Sequence, residues 1–479
     1  MYLQFKNQIN SNNTPTMNLP TFQTTLTSEM KQLLDDPSPL LAVIAEEQRP
    51  VAISLPQSAV SNVIDFQKVL RNLSIDARVF LAHKATASPA ILSAVSTSAS
   101  VDIASEAELD DALNVGYDAK KILATGPKSQ HFLTRLCMLP GATIAVDSFS
   151  ELQRLALVVD NQPVNILLRL SRSMINQPGI TKKSRFGLDD AQLKTSMSFL
   201  EEHTNITLKG IHFHLDSQSI DERRFAVKTA IDSLLDIQQK GFYDATVLDI
   251  GGGYGTTHGI SKTSVDEFET AIKSMVLGKY PSFTWQAHSF GIRSEGSRVA
   301  GTLSAVNVPA EISGVDRLVS ILGVKNEYGV SLAESLSENL IELWIEPGSA
   351  ICADAGVFAA EIIEINHRDG ETMLLVDAHR NQLCFDGIEH AADPVLISRK
   401  QTTESLSCDA YITGHLCMES DFMTYRKIHF SHTPEPGDVL VWTHTGAYSS
   451  HFSASQAIGH PLSAQYTLTK EGNLVKDTQ

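Results

Sequence analysis

A glycine-rich stretch raises the first chemical question about this chain. The sequence TVLDIGGGYGTTHG, residues 246–259, sets Gly251, Gly252 and Gly253 directly after a short apolar run. Backbone N–H groups freed by glycine can converge on an anion, so a bound phosphate or nucleotide is indicated. Two interpretations fit the stretch alone. One is the nucleotide-binding turn of an S-adenosylmethionine methyltransferase, and the other is a phosphate cradle at the end of a barrel strand.

Polar side chains also stand at the ends of other apolar runs, where they could share one site. Lys84 lies in VFLAHKA, an apolar run in which an unpaired ammonium is costly, so we predict a functional lysine. His214 follows another run, and Glu346 ends a third. The full set at the run ends is Lys84, Asp102, Ser105, Glu108, Asp147, Arg169, His214, Ser217, Gly251–Gly253 and Glu346.

Eight short apolar runs alternate with amphipathic stretches between about residues 50 and 350. The first five runs recur at steps of 21, 21, 23 and 22 residues, as marked by Leu81, Asp102, Leu123, Val146 and Leu168. Apolar residues at helical spacing, often after a serine, make each step one βα unit. Eight such units predict an α/β fold with a (β/α)8 TIM barrel, whose strand ends form the active site.

Domain boundaries follow from where this alternation starts and stops. We expect residues 1–50 to form an N-terminal tail and a strand associated with a β domain, and residues 51–350 to form the barrel. The long step between the last two runs predicts an insertion at about 286–340. Apolar runs around an Asp-Gly turn predict a mostly antiparallel C-terminal β domain over residues 351–479.

The barrel decides between the two interpretations of the glycine-rich stretch. A methyltransferase turn should follow the first strand of an open sheet, whereas this turn follows the seventh run, where TIM barrels bind phosphate. A phosphate cradle at one barrel mouth with Lys84, His214 and Glu346 suggests pyridoxal 5'-phosphate. That cofactor needs an amine, a cradle, a ring-stacking group and an acid facing its pyridine nitrogen.

Composition limits the remaining classes of function. The net charge of −17 disfavours nucleic-acid binding, and 42% hydrophobic with 19% charged residues is typical of a soluble globular protein. No apolar run approaches the roughly 20 residues of a membrane span. Five scattered cysteines without CxxC spacing, and no secretory signal, indicate reduced thiols, no metal site and a cytoplasmic location.

Taken in order, the motifs resemble the fold type III pyridoxal-phosphate decarboxylases, the group of ornithine, arginine and diaminopimelate decarboxylases. The resemblance covers about residues 40–470, nearly the whole chain. Each motif alone is weak, but their order and spacing make coincidence improbable. The motifs are FLAHKA, VDIASEAELDDAL, ILATGPKS, IAVDSFSEL, FHLDSQS, LDIGGGYG, EPGSAICADAG, GHLCMESD and PEPGDVLVWTHTGAY.

The resemblance implies a role for each matching residue of the barrel. Lys84 would carry the cofactor as a Schiff base, and desolvation would lower its pKa. Glu346 would pair with the pyridinium nitrogen and keep it protonated. His214 would stack on the ring and Ser217 would contact the phosphate. His212, on the same face of its strand, is expected to be a packed core histidine.

Two further residues match in the β domain. Cys417 resembles the cysteine that a partner subunit contributes, which would return a proton to Cα after carbon dioxide leaves. Tyr448 resembles the tyrosine that reaches the phosphate. Together they imply a homodimer with shared active sites. The expected catalytic residues are Lys84, His214, Glu346 and Cys417, and the expected cofactor-binding residues are Lys84, Asp102, His214, Ser217, Gly251, Gly252, Gly253, Glu346 and Tyr448.

Several positions depart from the family pattern where substrates are recognised. Ser349 replaces the arginine of the pattern EPGR, which removes an anion clamp that no adjacent lysine or arginine replaces. Met418 follows the cysteine, with Glu419 displaced by one residue, and His379 replaces a glycine. Glu389 is interpreted as an acid for a distal ammonium group.

These departures predict decarboxylation of an amino acid or of a modified, conjugated or carrier-bound amino acid, rather than of plain ornithine or diaminopimelate. Two alternatives stay open at this point. One is a racemase or epimerase that uses the same cofactor, and the other is a non-catalytic regulator that binds the cofactor or a partner. A methyltransferase is a more distant alternative, and neither nucleic acid nor a membrane is an expected partner.

Overall fold

The computed structural model describes residues 19–160, 163–400 and 406–477, so residues 1–18 of the predicted tail lie outside the described part. The strands are β1 Val51–Ser54, β2 Ala77–Ala82, β3 Ser100–Ile103, β4 Ile122–Ala124, β5 Thr143–Val146, β6 Val164–Arg169, β7 Ile206–His212, β8 Val247–Asp249, β9 Arg293–Glu295, β10 Arg298–Ala300, β11 Glu342–Ile345, β12 Gly356–Arg368, β13 Glu371–Val376, β14 Val395–Ile397, β15 Cys408–Thr413, β16 Phe422–Phe430, β17 Val439–Thr443, β18 Ala464–Leu468 and β19 Leu474–Lys476.

The α-helices alternate with the strands over the first two thirds of the chain. They are α1 Ser28–Asp35, α2 Ser38–Glu47, α3 Pro56–Asn72, α4 Pro89–Val95, α5 Glu106–Asn114, α6 Gln130–Cys137, α7 Phe149–Ala156, α8 Arg172–Ile175, α9 Asp190–Glu201, α10 Ile220–Gln239, α11 Lys262–Val276, α12 Gly314–Leu322, α13 Leu332–Glu338 and α14 Ser349–Cys352. Within the described residues, no helix combines the length and the hydrophobicity that crossing a membrane requires.

Eight parallel strands, β2 to β8 and β11, close into a barrel, because β11 pairs with both β8 and β2. Each strand forms at one of the eight apolar runs, so the predicted (β/α)8 barrel is confirmed. Serine caps support the helices that follow: Ser88, Ser105, Ser129 and Ser148 each accept a hydrogen bond from the N–H three residues on.

The barrel interior is filled by apolar side chains, so it offers no channel. These residues come from six different strands and form a cluster separate from the one under the helices. Filling of this kind is the usual state of an eight-stranded barrel and leaves chemistry to the strand ends. The interior residues are Phe80, Leu123, Ala145, Leu167, Val247 and Trp344.

A second, mostly antiparallel sheet of nine strands follows the barrel and confirms the predicted β domain. Its order is β16-β15-β13-β12-β1-β18-β19, with β17 pairing to both β12 and β14. Strand β1 lies inside this sheet, antiparallel to β12 and parallel to β18. We expected the barrel to begin at residue 51, but Val51 and Ile53 are buried in the core of the β domain, together with residues of α1 and α2.

The predicted insertion at 286–340 divides into two parts with different neighbours. Helices α12 and α13 pack against α10 and complete the outer layer of the barrel. The preceding segment carries the β9–β10 hairpin and packs Phe290 and Val306 against Phe268 and against Ala391 of the β domain. The first part of the insertion therefore fills the junction between the barrel and the β domain.

Candidate active site

The strand ends of the barrel gather most of the predicted site residues. Lys84 lies in a single 3-10 turn directly after β2, and Asp102 is within β3. His214 follows β7 by two residues, Gly251–Gly253 follow β8, and Glu346 follows β11 by one residue. Because parallel strands end at the same rim of a barrel, these groups face one opening.

A buried polar cluster surrounds Glu346. Glu346, Asp249 and His212 are at most 4% exposed, and one side-chain atom from each lies within 4.8 Å of the others. His212 Nε2 is 3.2 Å from Glu346 Oε1, so the histidine expected only as a packed core residue also contacts the predicted acid. Asp249 was missed in the sequence. The sequence feature that could have identified Asp249 is its position, two residues before the first glycine of the turn.

Burial changes the protonation of three carboxyl groups at this opening. Burial, together with the charge of Glu346, raises the pKa of Asp102 to about 7. Burial also raises the pKa of Glu346, and the pKa of Asp249 lies well above its ordinary value because of burial and the Glu346 charge. These carboxyl groups therefore hold their protons more tightly than exposed carboxyl groups do.

The Lys84 side chain is surrounded by the strand ends and still reaches solvent, which places it in a concave opening. Burial by itself lowers the pKa of its ammonium. The charges of Asp102, Tyr448 and Glu346 outweigh burial, and the pKa of Lys84 is raised. The prediction that desolvation would lower this pKa is wrong for this chain, because the surrounding carboxylates stabilise the charged form.

The glycine-rich turn is packed directly against Glu346 and His214. Gly251 donates its N–H to Asp249 Oδ1 at 2.8 Å, and its carbonyl accepts the N–H of Glu346 at 3.0 Å. A Cβ at Gly252 would lie 2.5 Å from the carbonyl oxygen of Glu346, so that position requires glycine. Gly252 N donates to His214 Nδ1 at 3.3 Å, and burial lowers the pKa of His214 well below its ordinary value, which keeps the imidazole neutral.

Tyr448 reaches the barrel opening from the β domain of the same chain. Its N–H donates to the carbonyl of Ala85, next to Lys84, at 3.0 Å. Its side chain forms a hydrogen bond with Ser349. The backbone of Tyr448 has φ of 62°, a left-handed conformation that a bulky residue adopts only when its surroundings fix it. The predicted Tyr448 and Ser349 positions therefore meet beside Lys84.

Cys417 and Glu419 are not brought to this opening. Both are exposed in the connection between β15 and β16, and within the described residues no contact joins either one to Lys84. The connection between β15 and β16 is held in place by hydrogen bonds to the buried Asp421, which is 3% exposed. Its carboxylate accepts the N–H of Leu416 at 2.8 Å and that of Arg380 at 3.0 Å. Cys417 is thus presented outward on an ordered turn.

Glu389 belongs to a different polar cluster. It is 1% exposed and accepts hydrogen bonds from Thr424 Oγ1 and from Tyr425 N, both at 2.9 Å. Burial raises the pKa of Glu389 to about 7. Both carboxyl oxygens are therefore already engaged with strand β16.

A cavity of about 620 Å³ lies beside the opening, where the barrel, the insertion and the β domain meet. Val306 of the insertion pairs with Glu389 in an isolated β-bridge, so the insertion forms one wall. The polar groups of the lining include Gln218, His258, Asn307, Arg317, Ser349, Glu389, His390 and Tyr448.

Comparison with known proteins assigns the chain to a family. A model of the pyridoxal-dependent decarboxylases, describing their pyridoxal-binding domain, matches residues 58–296. The chain is 27% identical over 467 residues to the protein y4yA of Sinorhizobium fredii, covering 95% of this chain and 96% of that protein. It is 24% identical to a diaminopimelate decarboxylase of Aquifex aeolicus, covering 79% of each chain.

Solved structures share the architecture. A diaminopimelate decarboxylase from M. jannaschii superposes with a TM-score of 0.68 at 18% identity, covering 92% of each chain. A lysine/ornithine decarboxylase from Vibrio vulnificus, complexed with putrescine, superposes with a TM-score of 0.64 at 18% identity, covering 93% of this chain and 99% of that one. The chain belongs to the fold type III pyridoxal-phosphate-dependent decarboxylase group.

Replacing Glu389 with glutamine tests the cost of burying its carboxyl group. The pKa of Glu389 is about 7 in the folded chain, against 4.5 ordinarily, so the folded state binds this proton more tightly. The protonated Glu389 side chain contributes its full stabilisation below the ordinary pKa. As the pH rises through the folded pKa this stabilisation is lost, and the free energy of unfolding falls by about 3 kcal/mol. In urea unfolding, wild type should therefore lose more stability than Glu389→Gln as the pH rises from about 5 to about 8.

The control for this experiment is Glu201→Gln, which changes an exposed glutamate at the end of α9. The control should keep the pH dependence of the wild-type protein. The same pH dependence in Glu389→Gln would contradict the raised pKa.

Proposed function

We propose that this protein decarboxylates an amino acid or an amino-acid conjugate with pyridoxal 5'-phosphate as its cofactor. The observation that carries the proposal is the amine of Lys84 beside the buried acid Glu346 at a glycine-rich turn. Similar chains bear the names diaminopimelate decarboxylase and lysine/ornithine decarboxylase. These activities share one reaction, the loss of carbon dioxide from an amino acid.

The residues present fit this cofactor. Glu346 is buried beside Asp249 and His212, and among the described residues its Oε1 forms no well-aligned hydrogen bond with a nitrogen or hydroxyl donor, so it can accept one from a protonated ring nitrogen. The glycine-rich turn offers the free N–H of Gly253 to a phosphate, and the Lys84 amine reaches solvent in the same opening. When bound, the cofactor supplies an aldehyde to which amines add and a ring that takes up the electron pair left at Cα.

Three residues at the opening would each have one task. Lys84 supplies the amine that binds the aldehyde carbon, so a proton must first leave its Nζ. Asp102, with a pKa of about 7, can accept that proton. His214 is neutral, so it would hold the ring without adding a positive charge beside the protonated nitrogen.

Cys417 is proposed to deliver the final proton to Cα in the active site of a second copy of the chain. Its thiol is exposed on an ordered turn and makes no contact with Lys84 among the described residues of its own chain. An outward-facing thiol of this kind suits a homodimer in which each subunit completes the other's site. A two-fold arrangement then gives two shared sites.

The substrate is proposed to be larger than free ornithine or diaminopimelate, or to carry a different charge. Ser349 offers no guanidinium for a second carboxylate, and both oxygens of Glu389 are engaged with β16. The cavity of about 620 Å³ beside Ser349 and Tyr448 gives room for a conjugated group.

Borohydride reduction of the purified protein tests the cofactor and its lysine together. We expect reduction to leave a stable pyridoxyl-phosphate mass on the peptide that contains Lys84, seen by mass spectrometry. Lys84→Ala should lack this label and the visible absorption band, because no amine remains at the opening. Lys240→Ala, which removes an exposed lysine bonded to Asp236, should keep both. A label on another lysine, or none in wild type, would overturn the assignment.

Mixing two inactive variants tests the shared site. Lys84→Ala and Cys417→Ala should each lose at least about 100-fold in kcat, since each removes a group that handles amine or proton transfer. Mixed subunits exchange into heterodimers in which one of the two sites is intact, which should restore about a quarter of wild-type activity. No recovery, with heterodimers demonstrated by differently tagged subunits, means that Cys417 does not act across the interface.

Carbon dioxide release from a panel of amino acids tests the substrate proposal. We expect kcat/KM for free ornithine, lysine, arginine and diaminopimelate to fall below about 10² M⁻¹ s⁻¹, under the usual range for enzymes, and side-chain-conjugated derivatives to exceed it. Turnover of a free amino acid at ordinary enzymatic rates would refute the size argument. Deuterium uptake at Cα without carbon dioxide release would instead establish a racemase.

A further inference from the structure

Two buried arginines stand behind the loops at the barrel opening without a carboxylate partner. Arg223 lies in α10 and Arg317 in α12, and each is 2% exposed. Other buried arginines are paired, as Arg172 is with Glu222 and Arg426 is with Asp393. Among the described residues, neither Arg223 nor Arg317 makes an ion pair. Buried charges are normally paired, so this arrangement calls for an anion.

The two guanidinium groups donate only to backbone carbonyls of the loops after β7 and β8 and of the insertion. Arg223 donates to Leu215 O at 2.9 Å, Gly252 O at 2.8 Å and Ser217 O at 3.2 Å. Arg317 donates to Gln218 O at 2.6 Å, to Ser217 O at 3.3 Å and to Ile312 O at 3.2 Å. Both arginines therefore share the carbonyl of Ser217.

These hydrogen bonds set the direction of the backbone N–H groups. In a trans peptide the carbonyl and the following N–H point to opposite sides. The carbonyls of Ser217 and Gly252 face the guanidinium groups, so the N–H groups of Gln218 and Gly253 face away from them. Within the described part of the chain, neither N–H has a hydrogen-bond partner, and both residues are exposed. Each loop thus presents one free backbone donor on the side away from the arginines, and backbone donors of this kind can bind an anion.

Like charges add to the case for an anion. Burial lowers the pKa of Arg317, and the charge of Arg223 lowers it further. Gly253 is fixed by the same contact, since a Cβ there would lie 2.0 Å from Arg223 Nη2. The loop therefore lies directly against Arg223, and an anion on its free side would offset the two charges.

The position of Arg317 also corrects an expectation from the sequence. The sequence alone shows no lysine or arginine beside Ser349 that could replace the arginine of the family pattern EPGR. In the folded chain Arg317, far away in sequence, lines the same cavity as Ser349, Tyr448 and Gln218. The insertion between β8 and β11 thus brings a positive charge to the side of the opening from which one is missing.

We propose that Arg223 and Arg317 are positioning residues for a phosphate monoester, directing the N–H groups of Gln218 and Gly253 towards it and offsetting its negative charge from behind. The inference rests on the proposed function, since the phosphate is that of pyridoxal 5'-phosphate. Arg317 in the insertion takes over, at a distance, the electrostatic task of the arginine that Ser349 replaces.

Ligand binding by the cofactor-free full-length chain tests this proposal without measuring activity. Pyridoxal 5'-phosphate and pyridoxal, which lacks the phosphate, are titrated separately and followed by absorption and tryptophan fluorescence. Arg317→Gln should raise the Kd of pyridoxal 5'-phosphate at least about tenfold, because it removes an offsetting positive charge and the charge-assisted hydrogen bonds that orient the Gln218 N–H. The Kd of pyridoxal should stay unchanged. A merely structural role would weaken both ligands equally and would overturn the proposal.

Arg224→Gln is the matched control. Arg224 lies beside Arg223 on α10 and donates to Ser320 O of α12, but it is half-buried and lies 3.6 Å from Asp221. The Arg224→Gln variant should bind both ligands as wild type does. If Arg317→Gln does not fold, Arg317→Met, which keeps much of the side-chain length and removes the charge, carries the test, and an unchanged ratio of the two Kd values in that variant contradicts the proposal. Wild type that binds neither ligand at Lys84 refutes the proposed function instead.

Discussion

Three buried carboxyl groups at the end of the barrel, two of them close enough to act on the charge of Lys84, set the conditions for the rest of the site. Asp102, Asp249 and Glu346 are drawn out of water by the barrel, and each one holds its proton more tightly as a result. Lys84 is the nearby cation that benefits, since its ammonium is stabilised by the charges that the barrel confines. Asp102, with a pKa of about 7, therefore exchanges its proton near neutral pH. A reaction that moves a proton off an amine and later returns one to carbon can use such a group.

The glycine-rich turn connects this acid cluster to the anion side of the opening. On one side it contacts Asp249, Glu346 and His214, and on the other it bonds to Arg223. Carboxyl groups and guanidinium groups are thus kept apart by one loop instead of neutralising each other. Negative and positive regions on either side of the turn fit a ligand with a protonated ring at one end and a phosphate at the other.

Much of this arrangement could be predicted from the sequence, because it depends on local pattern. The period of the βα units gave the barrel, and Lys84, His214 and Glu346 fall at strand ends where the pattern places them. Other features depend on contacts between distant segments. The sequence of strand β1 resembles the apolar runs of the barrel. Its position in the second sheet depends on pairing with β12 and β18, which lie far away in the sequence. The direction of the Lys84 pKa and the position of Arg317 likewise depend on tertiary neighbours that no local window contains.

The pairing of β1 has a consequence for synthesis of the chain. Strand β1 sits between β12 and β18, so the second sheet is assembled from an early strand and a late one, with the whole barrel between them. At ordinary translation rates, β1 leaves the ribosome roughly 20 to 80 s before β18 exists to pair with it. During that interval the barrel can close on its own local contacts, while the apolar strand and its two preceding helices wait without their partners. The order of folding is therefore expected to be barrel first, with the β domain closing over both chain ends last.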